Sequence, residues 1–200
     1  FDFYMALNTI NSIKNIYDID YIDFEYLHCF KKKKFNDKII EFINFKILNR
    51  TNSCEIVLNE GNFNILNQVD NLVLGSRWPV NTDFEQLIDF FKKFNSNIVI
   101  VGNGHKFYDV PTLYFKRGDK VNKYAKNFNN NLDEMNEKIK FELKDTKAQF
   151  FDKSQLNCNP KCVVFTNNIL LYSDKDHWSY EGAKIFGGGI ELSNFKKLLK

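Results

Sequence analysis

Proline and glycine are scarce in this chain, three and nine among 200 residues. A flexible linker, a collagen-like repeat or a disordered tail needs far more of both, so those classes are excluded. Charge of one sign is scarce too. The net charge is +3, from 28 Lys and Arg against 25 Asp and Glu, which is too little for a surface that tracks nucleic-acid phosphates. The one basic run, residues 31–34, reads as a solvated loop, with a weak role beside an anionic lipid or polymer left open. No apolar stretch approaches the roughly 20 residues that cross a bilayer as a helix, and no signal peptide is visible. The chain opens at Phe1 without a Met, and is expected to be a piece of something longer. What is abundant is phenylalanine, 21 residues in a chain that is 16% aromatic, ample for one domain with a sizeable core.

Four cysteines are present. Cys158 and Cys162 stand as Cys-Asn-Pro-Lys-Cys, close enough to bridge across a tight turn. A zinc site wants paired clusters of Cys or His, and Cys29 and Cys54 have no near partner in sequence. Two disulfides, Cys29–Cys54 and Cys158–Cys162, are the preferred reading, with four buried free thiols as the alternative. Disulfides would place the domain in an oxidising compartment such as a periplasm. No metal or cofactor is expected.

Hydrophobic spacing gives the order of elements. Residues 2–13 and 36–48 have helical periods, 61–67 a weaker one, and 19–24 a short strand-like alternation. Residues 71–76 and 98–101 are short apolar runs, ending at Gly75 and Gly102, of the kind a buried parallel strand shows. Residues 82–94 form a strongly amphipathic helix. Residues 119–144 read as one long polar helix with a break near the asparagines at 129–131, and 148–151 as a third strand. Residues 163–171, with Asn167-Asn168 in the middle, read as a hairpin. Residues 180–199 read as a closing helix interrupted at Gly187-Gly188-Gly189. Strands alternating with helices predict an α/β, three-layer sandwich around a mainly parallel sheet. Ligands in such sheets bind beyond the carboxyl ends of the strands, so Gly75 and Gly102 are expected at one rim.

The sharpest chemical feature is Ser173-Asp174-Lys175-Asp176-His177-Trp178-Ser179-Tyr180-Glu181-Gly182-Ala183. It sets a carboxylate three residues before one of only three histidines. Asp174 at that spacing can orient the imidazole of His177 as general base for a hydroxyl nucleophile. Asp176 is the competing carboxylate, and Asp174 the better partner. The segment resembles the last motif block of the SGNH (GDSL-like) hydrolase superfamily. More narrowly, it resembles the SGNH domain that follows a membrane acyltransferase-3 domain in bacterial sugar O-acetylases. There the loop reads Asp-x-x-His-Leu-Ser followed by Gly-Ala, and here Trp178 stands in the Leu place. The strand ending Gly75-Ser76-Arg77-Trp78 is similar to the Gly-Arg-Trp or Ala-Arg-Trp endings of that branch, and the stretch at 107–111 also resembles it.

The resemblance implies several roles. Gly75 would lend its backbone N–H to an oxyanion. Arg77 would meet a carboxylate or an anionic sugar, or form a surface ion pair, and Trp78 would lie near substrate or in the core. Asn103 would donate to the oxyanion from a position shifted relative to the superfamily's Gly-x-Asn-Asp, or simply form a turn with Gly104. His105 would touch substrate at the same rim or serve only the loop. The paired cysteines and an extracytoplasmic, periplasmic location fit the same branch.

The family's nucleophile lies in a Gly-Asp-Ser motif between its first strand and first helix, and this chain contains no Gly-Asp-Ser. Residues 2–13 read as that first helix, which would put the first strand and its serine directly upstream of Phe1. A degenerate, non-catalytic homologue is the second account. A relocated nucleophile, Ser76 or Ser179, is the third, although Ser179 reads as a helix cap. The expected function is O-acyl transfer to a cell-surface polysaccharide or lipopolysaccharide sugar. The glycan would be the acceptor, and an acyltransferase-3 domain or partner the source of the acyl group. A carbohydrate esterase and an inactive glycan-binding module are the alternatives.

Overall fold

A computed structural model describes residues 6–7, 9–10, 66–75, 77–80, 82–94, 96–126, 131–158 and 161–199. The expected elements at 19–24 and 36–48, most of those at 2–13 and 61–67, the pair Cys29 and Cys54, and Ser76 lie outside the described residues.

Strand β2 (Asn97–Val101) is the centre of the fold, buried along its whole length. Its side chains alternate between two apolar layers. Ile98 and Ile100 face a cluster with Leu72, Leu74, Phe84, Phe91 and Ile139. Val99 and Val101 face another with Ala6, Leu7, Ile10, Ala183 and Ile190. Cover on both faces is why its sequence is a continuous apolar run rather than an alternating one. Strands β1 (Asn71–Gly75) and β3 (Gln149–Phe151) flank it, both parallel. Gly75 lies opposite Val101, and Val101 opposite Phe151. The three strand ends therefore share one rim of the sheet.

Helix α1 (Phe84–Lys92) covers the first face. Asp83 caps it, its carboxylate accepting from Gln86 N at 3.0 Å. Phe84, Leu87, Ile88 and Phe91 sit three and four residues apart and are all buried, each worth about 1.5–3 kcal/mol of burial. Helix α2 (Val110–Arg117) opens on an Asp109 cap with Pro111 in its first turn. It ends at Gly118, whose φ of +55° suits only glycine without strain. A 3-10 turn (Gly118–Lys123) follows, then α3 (Leu132–Leu143). The long polar helix expected over 119–144, with a break near 129–131, corresponds to this 3-10 turn and α3, with residues 127–130 outside the described ones, and α2 precedes both.

Helix α4 (Tyr180–Leu192) closes the second face and runs unbroken through its three glycines. The expected interruption falls instead at Ser193, before a 3-10 turn (Phe195–Leu198). Gly187 lets α4 approach Ala6 and Thr9 so closely that a Cβ would stand 2.8 Å from Ala6 O. Packing outweighs the helix-propensity cost of about 1 kcal/mol per glycine. A hairpin of β4 (Phe165–Thr166) and β5 (Ile169–Leu170) turns on Asn167 and Asn168, at φ of 49° and 61°, the conformation of a two-residue type I′ turn. With α2 it forms a third apolar cluster around Phe107, Val110, Phe165 and Tyr172. Cys158 and Cys162 are joined in a disulfide beside it.

Candidate active site at the strand rim

The loop holding Asp174 and His177 is closed at its neck. Tyr172 and Trp178 face each other as an antiparallel bridge, and Ser173 N donates to His177 O at 2.9 Å. Ser179 fixes the exit. Its N–H and its hydroxyl donate to Leu171 O and Leu170 O at 2.9 and 2.6 Å, and the same hydroxyl oxygen accepts from Gly182 N at 2.9 Å. Gly182 permits the approach, because a Cβ there would stand 2.8 Å from Leu171 C and Cα and nearer still to the carbonyl oxygen. The hydroxyl of Ser179 is thus the cap of α4.

Within the loop, Asp174 is the organiser. Its Oδ1 accepts from the N–H groups of Asp176 and His177, both at 2.8 Å. Its Oδ2 lies 2.7 Å from His177 Nδ1. A carboxylate at that distance favours the tautomer protonated on Nδ1 and leaves the Nε2 lone pair available. Partial burial works to raise the Asp174 carboxyl. The two backbone N–H groups and the His177 ring outweigh it and hold the group well below the usual carboxylate range. The His177 side chain is 55% exposed, so the ring is reachable from solvent.

Asp176 approaches the same ring from a more buried position. Its side chain is only 5% exposed, with Oδ1 3.4 Å from His177 Nδ1. Arg77, from the loop after β1, pairs with its Oδ2. The charge is countered, yet no described residue aligns a hydrogen-bond donor on either oxygen. Phe107 N donates to Lys175 O at 2.7 Å and ties the same loop to the chain beyond β2.

A cleft of about 220 Å³ opens between these loops, with Arg77, Asn103, His105, Asp176 and Trp178 among its walls. His105 stacks on Phe107, with ring centroids 6.2 Å apart. Burial lowers its pKa against the opposing pull of Asp133 and Asp152, which favours the neutral ring. Trp78 also borders the cleft, but its indole is committed to the core. It is 4% exposed, donates to Val101 O at 2.7 Å, and meets Phe84 edge-on at 5.1 Å. Asn103 is likewise committed. Its Oδ1 accepts from Trp78 N at 2.8 Å and its Nδ2 donates to Trp78 O at 3.1 Å, which pins the loop after β1 to the loop after β2. Its backbone is gripped by Asn136, whose Oδ1 accepts from Asn103 N at 2.9 Å and whose Nδ2 donates to Asn103 O at 3.2 Å and to Asp152 Oδ1 at 3.0 Å. Asn136 and Asp152 carry no motif. The one signal for Asn136 is an amide on the apolar side of α3, between Met135 and Ile139.

Gly75 ends β1 with room to spare, since a Cβ would meet only Val101 Cβ at 3.8 Å. Gly102 has no such room, as a Cβ would press on Phe150 and Asn136, and its N–H is already given to Phe151 O at 2.8 Å. Asp174, Asp176 and His177 bring ligand-type atoms within 4.8 Å of one another. A cation there would have to displace the Asp174 hydrogen bonds and the Arg77 pair. The sulfurs of Cys158 and Cys162 lie equally near His105, but the disulfide leaves no thiolate to coordinate.

Residues 41–191 match the family described as SGNH domain (fused to AT3 domains). No curated protein matches the sequence. Among solved structures, the periplasmic domain of a lipopolysaccharide acetyltransferase from Salmonella ser. Paratyphi A is similar at a TM-score of 0.47 and 16% identity, over 65% of this chain and 60% of that one.

Proposed function

The chain belongs to the family of SGNH domains fused to AT3 domains, and from that premise we propose that it serves O-acyl transfer, with acetyl as the acyl group, to a sugar of a cell-surface polysaccharide or lipopolysaccharide. The observation that carries this reading is the Asp174–His177 pair, at 2.7 Å and braced by two further hydrogen bonds to the same carboxylate. In it, His177 Nε2 takes the proton of a serine hydroxyl and Asp174 stabilises the imidazolium that results. The serine oxygen attacks the acyl carbonyl, and the oxyanion is held by backbone N–H groups, with Gly75 as one donor. Collapse, with the imidazolium proton passing to the departing group, releases the deacylated donor and leaves an acyl-serine. A sugar hydroxyl then attacks that ester, its proton passing through His177 to the departing serine oxygen. Asn103 serves by holding the two rim loops together through Trp78.

The chain contains no Gly-Asp-Ser, so the serine in this proposal is one that the given sequence does not include. Ser179 is a poor candidate, because its hydroxyl caps α4 and donates to Leu170 O. An acyltransferase-3 membrane domain or partner supplies the acyl group, so the site works outside the cytoplasmic membrane. The same residues would serve a carbohydrate esterase, and dependence of acyl release on an added sugar acceptor separates the two.

The test is fluorophosphonate labelling with peptide mapping of the natural protein, including whatever precedes Phe1. Label on an upstream serine, lost in His177→Ala, is the expected result. Absence of label on the folded protein would overturn the enzyme reading in favour of a glycan-binding module.

A further inference from the structure

The imidazole of His177 stands between two carboxylates, and only one of them belongs to the expected motif. Asp174 is half exposed and lies 2.7 Å from Nδ1. Asp176 is nearly buried and lies 3.4 Å from the same nitrogen. Left alone, the buried carboxylate would compete for the Nδ1 proton and add its full charge to the ring in a region where solvent screens poorly. It is not left alone, because Arg77 reaches it from the loop after β1. That loop begins at Gly75, so the ion pair also joins the two halves of the rim. Arg77 remains 52% exposed while Asp176 is 5% exposed; the cation keeps most of its hydration and the carboxylate gives up nearly all of its own. Among the described residues, the titratable groups nearby are His105 and Lys106 after β2 and Lys153 after β3, which line the same cleft, Lys175 within the loop itself, and Glu181 in the first turn of α4, which is engaged with Lys184.

We propose that Arg77 and Asp176 are positioning residues for His177: the pair cancels the second carboxylate electrostatically, so that Asp174 alone orients the ring, and it fastens the His177 loop to the strand end that carries Gly75. This rests on the reading of His177 as the general base. Its physical content is a charge balance, and that can be measured without any acyl transfer.

The experiment is a proton NMR titration of the His177 ring in the chain as it stands, in four forms: unchanged, Arg77→Gln, Asp176→Asn, and both together. Removing Arg77 leaves the Asp176 charge uncompensated and favours imidazolium, so the titration midpoint moves up. Removing Asp176 leaves the Arg77 charge, so the midpoint moves down. The two shifts are opposite in sign, and they largely cancel in the double variant. If Arg77→Gln fails to fold, the downward shift in Asp176→Asn alone carries the test. Midpoints that move the same way in both single variants, or not at all, would overturn the proposal, since mere loosening of the loop acts alike in each. Failure of the fluorophosphonate test leaves this titration unaffected, so the two readings fail separately.

Discussion

Replacing Asp174 by Asn separates the two jobs of this side chain. The amide oxygen can take over from Oδ1 and accept the N–H groups of Asp176 and His177, now at 2.8 Å, so the loop keeps its shape. The other end of the group becomes an NH2 facing Nδ1 across 2.7 Å, a donor against a donor. The ring escapes by moving its proton to Nε2, the nitrogen that accepts the serine proton in the proposed mechanism. A tautomer exchange of this kind costs about 10⁴-fold in kcat, equivalent to about 5.4 kcal/mol of transition-state stabilisation. Asp176 Oδ1, 3.4 Å from Nδ1, is a second acceptor that can retain part of the original tautomer. The expected loss is therefore about 10³ to 10⁴-fold in kcat for the proposed acetyl transfer by the natural full-length protein. Nitrogen-15 shifts of the ring read the tautomer directly. A variant within tenfold of the parent, or one whose ring still carries its proton on Nδ1, would refute the reasoning.

Three further outcomes follow from the same geometry. The depressed Asp174 carboxyl contributes stability that is complete above the unfolded value of about 3.9 and is lost as pH falls through the folded one. The Tm gap between the protein and Asp174→Ala should therefore be constant near neutrality and narrow steadily below about pH 4 in scanning calorimetry. Two glycines of α4 should respond oppositely to alanine. Gly182→Ala drives a methyl into the Leu171 backbone and lowers Tm, because overpacking of about 1–3 kcal/mol exceeds the gain in helix propensity. Gly188→Ala, with nothing within 4 Å of the new Cβ, raises stability by up to about 1 kcal/mol. Asn136→Ala strands the buried N–H and C=O of Asn103 and should cost about 2–4 kcal/mol in urea unfolding.

Much of the framework is legible in the sequence because its causes are local. The runs at 71–76, 98–101 and 148–151 announce themselves as β1, β2 and β3, since strands covered on both faces need nothing but apolar residues. The spacing of Phe84, Leu87, Ile88 and Phe91 announces α1 for the same reason. The hairpin is legible from Asn167-Asn168, a pair that tolerates positive φ. The Asp174–His177 contact is legible because all its bonds close within three residues. Elsewhere the causes are distant. Glycines 187–189 read as a break, but α4 runs through them, and at Gly187 the near approach of Ala6 and Thr9 leaves no room for a side chain. Helix α2 has weak amphipathicity and only Val110 buried, so its Asp109 cap and Pro111 are the signal that remains. The roles of Asn136 and Asp152, and the pairing of Arg77 with Asp176, depend on chain segments brought together only by the finished sheet.

The bridge between Tyr172 and Trp178 has a consequence for where disorder is removed. It closes the neck of the His177 loop before any ligand arrives, and Ser179 and Gly182 clamp that neck to the first turn of α4. Most of the conformational entropy lost in aiming the imidazole is then settled once per molecule, at folding, and not once per catalytic cycle. Warming should therefore leave the aim of the ring nearly constant until the anchoring helix itself begins to melt, at which point turnover should collapse over a few degrees instead of fading gradually.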